Sequence, residues 1–475
     1  MISHNNLIFY DTETTGIQRD FSQILQCGSV LTDKNLNTLS EQDIGCAPLP
    51  WIIPNPRAML TNKKINLFNS NVSHYEMIKD LQIQWKQWTL DNPGIFISYN
   101  GHAFDEELVR RQFFWNLLEP YVTNTNGNGR LDLMLMMHNV VSFFPEAINI
   151  PLFEEGPKIS LKLEDIARAN NISADSAHDA IADCNLMIDV IKKINLSIPE
   201  VFDSFLKIST KSGVMALLES QGFLALGEVF RRQIFRYPVI FCGSDPSRPN
   251  DIVFFDLSFD DPEEILELEL SEIFKLINSG GRDGPLKKYK INKTIPICHS
   301  DLLTNKTIFD VDFNELNRRA LLVKNHKDFQ TKVSQAMSDR IMNFPEPEHI
   351  EQTIYSGGFP SYKDKDLMQE FHISNDLNHR VKIARNFEDE RIRVFAERII
   401  CQISFENAPE DFQRRYKLLF EERIGTKGLW GYVESSIDES NKLLEEYSDN
   451  ESITILKETL NHLKKMQSLI DETQL

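Results

Sequence analysis

Apolar positions recur at two periods along the chain, and where one gives way to the other sets the organisation it predicts. Leu7 to Asp11, Ile24 to Leu31 and Leu39 to Cys46 are short runs of strand character divided by turn-rich segments, and they predict a meander of three strands. Ser73 followed three residues later by Glu76 forms a capping-box pattern, after which Tyr75, Ile78, Leu81, Trp85 and Trp88 recur at helical spacing. Gly94 to Tyr99 returns to strand, and the stretches beginning near Asp105, Asp132, Lys162 and Ala177 read as helices. Together these elements predict an α/β layer fold over residues 1–196.

Beyond Leu196 the pattern changes. Val239 to Cys242, Ile252 to Leu257 and Tyr289 to Ile297 are short strand signals separated by Pro, Gly, Asn and Asp, which predicts a β-rich barrel with helical insertions over 197–346. Phe344-Pro345-Glu346-Pro347-Glu348 reads as a linker, because closely spaced prolines resist both helix and sheet. Long amphipathic patterns follow, including Ser435 to Tyr447 and Ile453 to Ile470, and predict an all-α region over 347–475.

Composition narrows the class without naming a chemistry. The 475 residues, 41% hydrophobic and 25% charged, suffice for two to four globular domains. A formal net charge of −19 disfavours nonspecific adsorption to nucleic acid, so any phosphate-binding surface must be built from local clusters of Lys and Arg. Six cysteines carry neither CxxC pairs nor zinc-ligand spacing and read as buried thiols of a reducing compartment. No run is long and apolar enough to span a bilayer, and Met1 to Asn6 carries no signal-peptide pattern; the expectation is a cytoplasmic protein.

The candidate chemistry lies in the acids. Asp11 and Glu13 stand two apart at the end of the first strand, where the period of two sends both side chains to one sheet face. Left alone such carboxylates repel, and a bound dication removes that cost. Hard oxygen ligands suit Mg²⁺ or Mn²⁺, and two ions about 4 Å apart can hold both the attacking water and the leaving oxygen of a phosphodiester. Asp105 stands at a strand-to-helix junction after Asn100-Gly101-His102-Ala103-Phe104. Asp183 lies on a helix whose Ile181, Cys184, Met187 and Val190 mark a core-facing stripe. His178, five residues before Asp183, could take a proton from the bound water near pH 7. Singly, each feature has a plain structural reading as a cap or a surface charge; the ordered set of Asp-Thr-Glu-Thr-Thr-Gly, Asn-x-x-x-Phe-Asp and His-Asp-Ala-x-x-Asp points to a shared site.

This set resembles the DEDD exonuclease superfamily of the ribonuclease H-like fold, in the subclass with a His in its last motif. By that resemblance Asp11, Glu13, Asp105 and Asp183 are the metal-binding acids, with Glu13 also at the substrate, and His178 is the general base. Asn100-x-x-x-Phe104-Asp105-Glu106-Glu107, Ser160-Leu161-Lys162-Leu163-Glu164 and Ile354-Tyr355-Ser356-Gly357-Gly358-Phe359 extend the likeness to the bacterial exodeoxyribonuclease I family. That family implies an α/β catalytic domain, an SH3-like β-rich domain and an all-α C-terminal domain around a channel for single-stranded DNA. It also implies a 3′ to 5′ exonuclease using two Mg²⁺ ions in DNA repair and recombination, a monomer, and docking of the C-terminal tail of single-stranded DNA-binding protein. Carried over residue by residue, the DNA contacts are Arg110, Tyr121 and Lys162. Lys162 stands where the family has Arg, which keeps charge but loses a bidentate fork. His138 likewise occupies an Arg position.

Weaker features remain open. Lys287-Lys288-Tyr289-Lys290 mixes basic and aromatic residues as a single-strand groove would, though a solvated strand end reads the same way. Asp132 is read as a helix N-cap rather than a ligand. Alternative functions are an RNA exonuclease or proofreading subunit, and a non-catalytic DNA-end binding protein.

Overall fold

In the computed structural model the first strand is buried on both sides, and its alternation sorts the layers around it. The structure describes residues 6–153, 158–174, 179–259, 262–279, 281–303, 306, 308–342 and 344–473. β1 (Asn6–Thr14) pairs antiparallel with β2 (Ile24–Asp33), which pairs antiparallel with β3 (Thr38–Gly45). On its other side β1 runs parallel to β4 (Gly94–Ser98), and β4 parallel to β5 (Gly129–Asp132), giving the order β3-β2-β1-β4-β5. The expected meander and the fourth strand are present.

Helices cover both faces of this sheet, as its parallel part requires. They are α1 (Pro56–Asn62), α2 (His74–Trp88), α3 (Asp105–Trp115), α4 (Leu133–Phe143), α5 (Leu163–Ala169) and α6 (Ala180–Asn195). Ser73 caps α2 through the predicted reciprocal box with Glu76, and Asp132 caps α4 by accepting from the Met134 amide at 3.1 Å. Leu7 and Phe9 point into the core that holds Met136, Cys184 and Met187, whereas Ile8 and Tyr10 point into the one that holds Trp85, Leu108 and Phe113. Odd positions of β1 therefore face α4 and α6, and even positions face α2 and α3.

The second region opens with α7 (Pro199–Lys207) and α8 (Lys211–Leu218), where sequence signalled only a change of pattern; Val201, Phe202 and Phe205 of α7 pack into the α4 and α6 core. Five strands follow: β6 (Leu224–Phe230), β7 (Gln233–Ser244), β8 (Asp251–Asp256), β9 (Leu286–Lys290) and β10 (Ile297–His299). They form an antiparallel sheet in the order β10-β6-β7-β8-β9. The single run expected from Tyr289 to Ile297 is instead the end of β9, a connection and the start of β10. β6 and β7 are joined by a two-residue turn in which Arg231 and Arg232 both adopt positive φ, 48° and 68°. Helices α9 (Pro262–Leu266), α10 (Leu270–Ser279), α11 (Phe313–Asn325) and α12 (Lys327–Ser338) flank this sheet.

The third region is helical as expected, with α13 (Tyr362–Ile373), α14 (Leu377–Asn386), α15 (Glu390–Ile403), α16 (Glu410–Gly425), α17 (Val433–Glu446) and α18 (Asn450–Thr473). It shares core with the first region. Tyr75, Phe114 and Trp115 pack among Phe371, Phe395 and Ile399, and Leu25 and Met59 meet Ile455 of α18. Among the described residues no helix is long and apolar enough to cross a membrane.

Candidate active site

Asp11 and Glu13 extend the odd face of β1 past the point where apolar residues end, so both carboxylates emerge toward α6. Asp183, in the first turn of α6, meets them there. One carboxylate oxygen from each of Asp11, Glu13 and Asp183 lies within 4.8 Å of the others. What brings α6 so close is Gly28, which stands opposite Asp11 in the β1–β2 register. A Cβ at that position would sit 2.4 Å from the Ala180 carbonyl carbon and 2.5 Å from the Ile181 nitrogen, so the helix start rests directly on bare strand backbone. Asp179 caps the helix by accepting from the Ala182 amide at 3.3 Å, and Cys184 packs its thiol 3.5 Å from the Gly28 carbonyl.

Asp105 reaches the cluster from the other side of the sheet. It opens α3, on the even face of β1, and accepts a 2.5 Å hydrogen bond from the Thr12 hydroxyl. This parity explains why Asp105 stands beside the three converging acids rather than among them. It is buried, and after burial itself its charge is the largest influence raising the Asp11 pKa. The loop before it is organised by Asp132, whose carboxylate accepts from the Asn100 and His102 amides at 2.9 and 3.1 Å.

Electrostatics mark the cluster as a place where negative charge is in excess. Burial, with Asp105, Glu13 and Asp183 nearby, pushes the Asp11 carboxyl well above its usual range. Burial and Asp183 raise Glu13 to about 8, although Lys64 pulls the other way. Asp105 is raised by burial to about 6 against the opposing Thr12 hydrogen bond. Lys64 is itself engaged, 2.8 Å from Asp179 at the rim. An all-oxygen donor set with charges too crowded to ionise together fits a divalent cation of the Mg²⁺ or Mn²⁺ type.

The remaining predicted positions are spread around this centre. His178 lies outside the described residues. Lys162 precedes α5 with its side chain 70% exposed and 4.0 Å from Glu164, so it presents charge to solvent. Arg110 is neither solvated nor free: its guanidinium is buried on Glu106 at 2.7 Å and lies 5.2 Å from the centre of the Tyr121 ring. Tyr121 in turn meets the exposed Phe359 edge to face at 5.9 Å. Glu106 binds Arg130 as well, at 3.0 Å, and accepts from Thr123 at 2.6 Å and Tyr10 at 2.9 Å. His138 accepts from the Val229 amide at 3.3 Å, tying α4 to β6.

Of the Lys287 to Lys290 run, Lys287 is buried in the sheet and Lys288 is half-buried against a helix, while Lys290 stays exposed as a strand end would. Lys287 pairs with Asp256 at 3.2 Å, Lys288 donates to the Ile277 carbonyl at 2.6 Å, and Lys290 pairs with Asp251 at 2.5 Å. Sequence reasoning missed Thr12 and Lys64. Thr12 sat inside the recognised motif, and strand parity combined with the helix layers would have exposed it. Lys64 carried no local signal, because it meets Asp179 across 115 residues of chain.

No protein-family model matches the chain. Exodeoxyribonuclease I of Buchnera aphidicola subsp. Acyrthosiphon pisum is 25% identical over 411 residues, covering 82% of this chain and 94% of that protein. The Escherichia coli exodeoxyribonuclease I is 24% identical over 483 residues, covering 95% and 96%. Among solved structures, E. coli exonuclease I in complex with a dA16 oligonucleotide superposes with TM-score 0.81 at 20% identity, covering 98% of this chain and all of that one. The zinc-bound form of an E. coli ExoI–ssDNA complex and an ExoI/SSB-Ct complex give TM-scores of 0.79 and 0.78, at 21% and 20% identity and the same coverage.

Proposed function

Because this chain is a relative of bacterial exodeoxyribonuclease I across some 95% of its length, we propose that it is a 3′ to 5′ exonuclease that removes nucleotides one at a time from single-stranded DNA. The observation that carries the reading is the convergence of Asp11, Glu13 and Asp183 within 4.8 Å, with Asp105 buried alongside on Thr12. These four acids would hold two divalent cations, Mg²⁺ with Mn²⁺ able to substitute. Such ions supply a nucleophilic water at neutral pH and stabilise charge on the leaving oxygen.

The chain's own groups do the rest. Glu13 lies where the terminal nucleotide would rest. His178, immediately before the α6 cap, takes a proton from the attacking water. A new oxygen–phosphorus bond forms as the bond from phosphorus to the preceding 3′ oxygen breaks, releasing a 5′-mononucleotide. Lys162 offers a positive charge to the phosphate. Tyr121 and Phe359 offer an aromatic face suited to a base, backed by the Arg110 guanidinium that Glu106 neutralises. The net charge of −19 is compatible with DNA because cations gather locally. A groove of about 490 Å³ lined by Arg282, Lys288, Lys290, Lys293 and Arg340, with Glu228 and Asp251 pairing two of these cations, would extend the path of the strand across the second sheet.

On this reading the chain divides into a catalytic unit over 1–196, an SH3-like unit over 197–346 and a helical unit over 347–475. It acts as a cytoplasmic monomer in DNA repair and recombination and docks the C-terminal tail of single-stranded DNA-binding protein. Asp183→Asn tests the assignment of the acids. It should cut hydrolysis at least about 10³-fold and weaken Mg²⁺ binding in calorimetry, while the circular dichroism spectrum stays native. A variant that degrades DNA at the parental rate refutes the site.

A further inference from the structure

Away from the acidic site, several buried polar groups meet in a small pocket where the C-terminal helices join the first region. The cavity has about 20 Å³ of free space, room for one water-sized particle. Phe21, Trp51, Phe395 and Trp430 give it aromatic walls. Glu351, 4% exposed, receives two arginines there: Arg398 at 2.7 Å and Arg423 at 3.0 Å. Arg423 is 3% exposed, with its guanidinium 4.1 Å from the centre of the Trp430 ring.

Two features of this cavity are unbalanced. Two guanidinium groups face a single carboxylate in the lining, with Glu422 adding a weaker attraction to Arg423 from outside it, and arginine cannot relieve the imbalance by losing a proton. Buried charge without a counter-charge is costly, by far more than a buried dipole. Hydrogen bonding is also incomplete. Among the described residues, Arg423 Nε and Nη1, Trp115 Nε1 and Gln402 Oε1 find no partner. Three of those four atoms are donors. The Gln402 amide makes no hydrogen bond that fixes its orientation, so turning it end for end adds a fourth.

We propose that this cavity binds one monovalent anion of halide size, such as chloride. A water molecule would satisfy part of the hydrogen bonding but none of the charge. A halide accepts from every donor present, is small enough for the space, and supplies the missing negative charge. It would tie Trp115 of α3 to Arg423 of α16 and Gln402 of α15, joining the helical region to the first region at a point remote from the acids.

The test uses the full chain and reads stability and scattering rather than activity. Melting is followed in potassium chloride and in potassium gluconate at equal ionic strength, and crystals soaked in bromide are measured at the bromine edge. The proposal expects a melting temperature that rises and saturates with chloride but not gluconate, and an anomalous peak between Arg423 and Trp115. Trp115→Phe keeps the ring and removes one donor, and should raise the half-saturating chloride concentration about tenfold. Gln402→Leu should move it in the same direction if the tryptophan variant fails to fold. Equal melting in the two salts with no bromine peak in the cavity means bound water only, and overturns the proposal.

Discussion

Replacing Gly28 with alanine probes the feature that assembles the acids. The added Cβ would lie 2.4 Å from the Ala180 carbonyl carbon, whereas ordinary contact begins near 3.4 Å, so strand and helix must separate by about 1.0 Å. Both contacting atoms are backbone, so no rotamer change relieves the clash. Because Asp11 faces Gly28 in register and Asp183 is one turn along α6 from Ala180, the displacement opens the carboxylate cluster directly. A misplacement of that size costs roughly 10²-fold in rate, equivalent to about 2.7 kcal/mol of barrier. Overpacking adds a stability loss of about 1–3 kcal/mol. The assay is kcat/KM for mononucleotide release from a single-stranded oligomer at saturating Mg²⁺, with melting measured in parallel. A folded variant within about threefold of the parent would show that the seating of α6 on Gly28 does not set the metal site.

Further outcomes follow from the same structure. Glu13 is raised to about 8 by burial and Asp183, so in the metal-free protein the unfolded chain ionises near its ordinary value while the folded one still holds the proton. The metal-free fold therefore loses stability, by a few kcal/mol at most, as pH rises between those values, and bound dications remove the loss. The gain in melting temperature on adding Mg²⁺ to chelator-treated protein should be larger at about pH 8 than at about pH 5.5; equal gains contradict the excess of charge. The turn at Arg231 and Arg232 holds two L-residues at positive φ, where Asn and Gly sit without strain. Arg231→Asn should raise stability by roughly 0.5–1 kcal/mol in denaturant titration, and a loss would mean that the Arg231 side chain contributes more than its backbone strain costs.

Much of this architecture was legible because the relevant signals are local. β1 opens on the apolar run Leu7 to Tyr10 and β4 is a short apolar run, α2 carries a complete capping box, and α17 and α18 repeat apolar residues at helical spacing over long stretches. β6 escaped because Gly227 interrupts its apolar run, and the strand is stabilised by pairing with β7 and packing on α4. α7 and α8 escaped because they are short and depend on tertiary burial, of Val201, Phe202 and Phe205 in the first and of Val214 and Leu218 in the second. At the site, the acids were legible from their motifs, since two-residue spacing on a strand dictates a shared face. That Asp105 approaches from the opposite layer and is held by Thr12 depends on which helices cover which face, a relation no single segment contains. The same limit hid the Glu106 pairing of Arg110. The i to i+4 spacing of those two residues permits the bond, but only burial between α3 and β5 brings Arg130 onto the same carboxylate.

The central claim is tested most directly by digesting matched single-stranded DNA and RNA oligomers with and without Mg²⁺ and sizing the products over time. A two-metal exonuclease specific for DNA shortens the DNA stepwise from its 3′ end, yields 5′-mononucleotides, attacks the RNA slowly or not at all, and does not react in chelator. Internal fragments, metal-independent cleavage, or RNA degraded as fast as DNA would contradict that claim.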